Sequence, residues 1–214
     1  IVFGDWSSDV CSSDLDPGND DIVVDLAKTY EQAGLGGQAL DVYKSASGTA
    51  SDREILVPLI KESLGKKDYA KARDLLQRYV QLYPKDRNAV AQLAMVMGRL
   101  GDTKSQVDYY KRAVELSPGN SVLWYNLGVA REKQGDLKGA LDAYAKVLQT
   151  KAGDLDSLKG AARTSLKLGR NREAHGHYTA LLKKSSDKEN LKGLLSAAVD
   201  RKSTRLNSSH RIRS

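Results

Sequence analysis

Few residues in this chain have the chemistry to bind a metal or a phosphate or to act as a nucleophile. His175-Gly176-His177 is the one string that looks like a metal site. On a helix, residues two apart point about 200° from each other, whereas a helical metal pair needs a spacing of three or four. These two imidazoles therefore do not read as ligands of one ion. Gly34-Leu35-Gly36-Gly37 has the glycine density of a phosphate loop, but no Lys-Ser/Thr follows it and no strand precedes it. Gly65-Lys66-Lys67 lacks the upstream glycine that a Walker loop needs. No serine is placed beside a histidine by any motif. The expectation is a protein that is not an enzyme, with no catalytic residue, no metal and no cofactor. Function is then left to the surface.

The elements that would shape that surface are short helices. Ser121–Asp154 is the best-formed stretch. Trp124, Leu127, Val129 and Ala130 recur at helical spacing, and so do Ala140, Leu141, Tyr144, Val147 and Leu148. Gln134-Gly135-Asp136 between them is a turn signal, with glycine able to end a helix in the left-handed region. Each helix is about a dozen residues long, which is marginal alone in water, so its apolar stripe must pack on a neighbour. Weaker copies lie on both sides, giving units at about 20–52, 53–86, 87–120, 121–154, 155–188 and a partial sixth at 189–199. Pro84 and Pro118 close two of them. Tyr43, Leu76, Tyr110, Tyr144 and Tyr178 fall in register and read as core knobs. Gly128 and Ala140 fall where the two helices of a unit would cross closely. Pro58 should bend or shorten its helix.

A period of 34 residues with this W-L-G…A-Y…P pattern resembles the tetratricopeptide repeat. The resemblance covers residues 16–199. It implies an all-α fold, an α-solenoid of stacked antiparallel helix pairs, with the right-handed superhelical curve of that family.

The two ends read differently. DWSSDVCSSDL (5–15) and DRKSTRLNSSH (200–210) can be encoded by one DNA segment and its reverse complement, and that segment resembles a short-read sequencing adapter. Residues 1–15 and 200–214 are therefore expected to be adapter-derived and disordered, and are set aside from the fold. The single cysteine, Cys11, goes with them, so no disulfide can be argued and the compartment stays open. The formal net charge of +7 is modest and mixed in sign along the chain, which permits acidic partners without demanding nucleic acid. No run of 18 apolar residues is present to span a membrane.

In the resembled family the first helix of each unit lines a concave groove. That carry-over places Lys159, Arg163 and Lys167 in a basic row one helical turn apart, with Lys133, Arg99, Lys61 and Lys28 joining from other units. Val122, Tyr125 and Val129 form an apolar and aromatic patch beside it. Acidic groups share the face: Asp21, Glu31, Glu54, Glu132 and Asp156. Such a groove suits a protein or peptide partner carrying carboxylates. The family's carboxylate clamp does not carry over: Asn126 fits its middle place, but Ala91, Met95, Asp156 and Gly160 fail the others. The expected function is a protein–protein interaction scaffold. The alternative is the repeat region of a larger enzyme or regulator. Nucleic-acid binding is disfavoured because no stacking aromatics interleave with the basic row.

Overall fold

In the computed structural model the described residues are 20–45, 53–184 and 187–198. The adapter-like ends lie outside them. Every regular element among these residues is helical. The helices are α1 (Asp20–Gln32), α2 (Gly36–Ser45), α3 (Arg53–Gly65), α4 (Tyr69–Leu82), α5 (Arg87–Arg99), α6 (Thr103–Leu116), α7 (Ser121–Gln134), α8 (Leu137–Thr150), α9 (Leu155–Lys167) and α10 (Asn171–Leu182). A further helix, α11, covers 188–198. The glycine-rich string 34–37 is only partly a turn, since Gly36 and Gly37 already belong to α2. The helix carrying Pro58 is not shortened: α3 has 13 residues, as α1 and α5 do.

The chain forms two compact units, Ile1–Leu100 and Gly101–Ser214. Each is a run of α-solenoid. In the first, α1 to α5 pack consecutively, and the first helices α1 and α3 also meet. In the second, α6 to α10 pack consecutively, and α7 meets α9. The apolar stripes explain this. Ile55, Leu56 and Leu59 of α3 are fully buried with Leu76 of α4, and Leu127 of α7 is buried with Ala140, Tyr144 and Val147 of α8. Of the five knobs, Tyr43, Leu76, Tyr110 and Tyr144 are buried, while Tyr178 is half-buried.

The helix starts repeat with the same period. Asp68, Asp102 and Asp136 each accept a backbone N–H from the first turn of a second helix, at 3.1, 3.0 and 2.9 Å. Asp86, Asn120 and Asp154 do the same for first helices. An acceptor there satisfies a backbone donor that the helix cannot satisfy itself. Arg170 takes this place in the fifth repeat and α10 has no side-chain cap. Gly101, Gly135 and Gly169 close the intervening turns at positive φ. Trp124 ties its repeat to the preceding turn, its indole N–H donating to the Pro118 carbonyl at 2.7 Å.

Candidate functional site

The exposed faces of the first helices hold the residues singled out in the sequence, and the two units use them differently. In the second unit the organising group is Tyr144 of α8, which is fully buried. Its ring rests against two glycines. A Cβ on Gly128 of α7 would come within 2.7 Å of it, and one on Gly160 of α9 within 2.6 Å. Tyr125 packs on the same ring at 5.9 Å between centroids, and Val129 joins that cluster. These two patch residues are thus partly absorbed into the repeat packing. Val122, at 60% exposure, is the apolar group left open. Gly160 is also one of the places where the family's clamp would need a long side chain, and the Tyr144 ring leaves no room for one.

The Tyr144 hydroxyl donates to Glu132 at 3.2 Å. That carboxylate is the hub of the basic row. Arg163 donates through Nε to Oε1 at 2.9 Å and through Nη2 to Oε2 at 2.7 Å. Lys167 donates to Oε1 at 2.9 Å. The Glu132 side chain is only 10% exposed, against 56% and 50% for its two cations. The Arg163 hydrogen bonds, and then those of Lys167, outweigh burial and hold the Glu132 carboxyl down at about 2. The same pairing raises Arg163. Burial, with Glu132 beside it, pushes the Tyr144 phenol up. Two of the three cations of the row are thus engaged inside the protein. Lys159 and Lys133 are exposed and have no partner among the described residues.

In the first unit Lys61 is exposed on α3 and Arg99 on α5, again without partners among the described residues. Lys28 is taken up by an ion pair with Glu54. Lys61 stands at the rim of an open cavity of about 350 Å³ between α3, α4 and α5. Ile60, Leu64 and Leu76 supply its apolar lining, and Val57 stands exposed at its edge. Asn88 and Gln92, one turn apart on α5, bring two side-chain amides to it. Met95 and Arg99 continue the same face of α5 at helical spacing. Asp86, which also lines the cavity, is held by the Tyr79 hydroxyl at 3.0 Å and by Arg53 at 3.6 Å. Lys61 and Arg99 were named from sequence. The cavity and its amides were not, because an exposed Asn or Gln carries no periodic signal.

His175 and His177 lie on α10, and burial lowers the His177 pKa. Among the described residues no group of three His, Cys, Asp or Glu side chains gathers as a metal site would. No described helix is long and apolar enough to cross a membrane.

Helix pairs at a fixed period, capped alike and stacked on shared knobs, define a helical repeat protein with its variable chemistry on the first helices. Models of the tetratricopeptide repeat match residues 60–86, 88–120 and 109–142. Over these residues the chain carries tetratricopeptide repeats. Its fold is similar to that of MamA protein, with a TM-score of 0.65 and 21% identity over 79% of this chain and 93% of that one. It is also similar to YrrB, described as a TPR protein with an unusual peptide-binding site, with a TM-score of 0.67 and 19% identity over 87% and 94%. MamA from Desulfovibrio magneticus RS-1 matches with a TM-score of 0.62 and 16% identity over 79% and 95%. Compared with curated proteins, the sequence has no significant match.

Proposed function

We propose that the chain is a non-catalytic interaction scaffold that binds an extended segment of a protein partner on its first-helix faces. The observation that carries this is the open cavity of the first unit. It is formed without a ligand, has an apolar floor, and brings two amides and a free cation to its edge. That is the make-up of a recognition site, in which apolar area gives affinity and a few polar groups fix orientation. A side chain of the partner enters over Ile60 and Leu64. Asn88 and Gln92 hydrogen-bond its backbone. Lys61 and Arg99 are the cations free to meet a carboxylate. Val122 and Tyr125 offer the corresponding apolar surface of the second unit. YrrB, with the same fold, is described as having a peptide-binding site.

The test is selection from a displayed random-peptide library, with binding of the enriched peptides measured by fluorescence anisotropy. Val57→Asp/Lys61→Glu and Asn88→Ala/Gln92→Ala alter exposed groups, so the fold should survive. Each should weaken the enriched peptides at least tenfold. A library that yields no binder, or binders indifferent to both variants and to Val122→Asp, would overturn the proposal.

A further inference from the structure

The basic row of the second unit looks from sequence like a receptor for acidic partners, and its internal pairing argues against that. Arg163 presents its Nε–Nη2 edge to Glu132 in the bidentate geometry with which it would hold a ligand carboxylate. Lys167 closes on the same group. With the Tyr144 hydroxyl, both carboxylate oxygens accept two donors each. The carboxylate comes from a different repeat than the cations, Arg163 lying 31 positions after Glu132. The fold does not demand it: the second and third repeats carry Leu64 and Gly98 at the matching position. The first repeat does carry Glu31 there, lining a depression with Tyr43 and Lys61, yet Lys61 forms no ion pair among the described residues.

We propose that Glu132 is a specificity-determining residue: it occupies Arg163 and Lys167 as an internal carboxylate ligand and so turns the α7–α9 face away from acidic partner segments. A tethered carboxylate competes at high effective concentration, and an incoming one must displace it from four hydrogen bonds. The partner that fits this face is an uncharged, apolar segment seated on Val122 and Tyr125. Glu132→Gln removes the competing charge and leaves Lys159, Arg163 and Lys167 on successive turns of α9 as an open anion site. The inference rests on reading the first-helix faces as binding surfaces, and its test does not depend on finding the natural partner.

The probe is a fluorescein-labelled hexaglutamate peptide, measured by anisotropy at low and moderate salt. Glu132→Gln should bind it about tenfold or more tightly than the wild-type protein, with the gain fading as salt rises. Arg163→Gln/Lys167→Gln placed on top of Glu132→Gln should return binding to the wild-type level. Equal binding by wild type and Glu132→Gln, or a gain that survives loss of both cations, overturns the proposal. Should Glu132→Gln fail to fold, the side-chain Nε–Hε resonance of Arg163 in the wild-type protein decides. It should stay in place as hexaglutamate is added, and a saturable shift overturns the proposal. Hexaglutamate behaving as described while the library yields no peptide for the first unit would sink the groove function and leave Glu132's role standing.

Discussion

Adding one methyl group at Gly160 should separate packing from helix propensity. A Cβ there would lie 2.6–2.8 Å from three carbons of the Tyr144 ring. The ring is fully buried, its hydroxyl is tied to Glu132, and Gly128 already sits against it. It has nowhere easy to move. Overpacking of this kind costs about 1–3 kcal/mol. Alanine in a helix interior returns about 1 kcal/mol relative to glycine. Gly160→Ala should therefore be destabilised by roughly 0–2 kcal/mol once the two effects are combined. Gly176→Ala in α10 isolates the second effect, because nothing lies within 4 Å of its added Cβ. It should gain about 0.5–1 kcal/mol. The difference between the two variants is the steric cost, read from urea unfolding midpoints at matched slopes. Tyr144→Leu combined with Gly160→Ala should cost less than the sum of the single changes, since the ring that is struck has gone. If Gly160→Ala is as stable as Gly176→Ala, the close approach of α9 to Tyr144 is not a constraint and the argument fails.

Three further outcomes follow from the same geometry. Arg170→Asp restores the acceptor that Asp68, Asp102 and Asp136 provide elsewhere, and should stabilise α10 by about 0.5–1 kcal/mol, measured by hydrogen exchange of its first turn. The stability difference between wild type and Glu132→Gln should depend on pH. The Glu132 carboxyl is held at about 2, so its contribution is complete above pH of about 5 and disappears as pH falls towards 2. With half-exposed cations the effect should be about 1–2 kcal/mol, and a difference that stays flat over that range would refute the network. Gly193→Ala meets the Tyr178 ring in the same manner, but Tyr178 is only half-buried and can yield, so its thermal midpoint should fall less than that of Gly160→Ala.

The period, the helix pairs and the knobs were legible in the sequence because each is a local pattern repeated several times. Tyr144 as core and Gly128 as a close crossing follow from the spacing of one repeat. Gly160 and Glu132, whose roles spacing does not show, act between repeats. Gly160 reads as a failed clamp position until the ring of the preceding repeat is seen against it. Asp68, Asp102 and Asp136 carry the same period as the knobs, so their capping role could have been found by aligning the turns as well as the apolar positions. The one-residue slip before α11 could have been found the same way: Asp187, not residue 188, takes the cap position with its carboxylate accepting from Glu189 N–H, and Gly193 meets Tyr178 where strict periodicity points to 194.

The charges show why a row read from one helix is not yet a site. Lys159, Arg163 and Lys167 are equivalent on a helical wheel, and spacing alone assigns them one role. The neighbouring first helix separates them, because Glu132 lies within reach of Arg163 and Lys167 and is largely removed from water. A shielded carboxylate must be paired, and pairing it fixes the cations in turn. Lys61 has Glu31 near it at the matching position, but that carboxylate is exposed and makes no ion pair with it, and Arg99 makes none among the described residues. Repeats of one fold thus acquire different surface chemistry through a single residue on an adjacent helix. The discrimination between acidic and uncharged segments is set by where those internal carboxylates fall rather than by net charge.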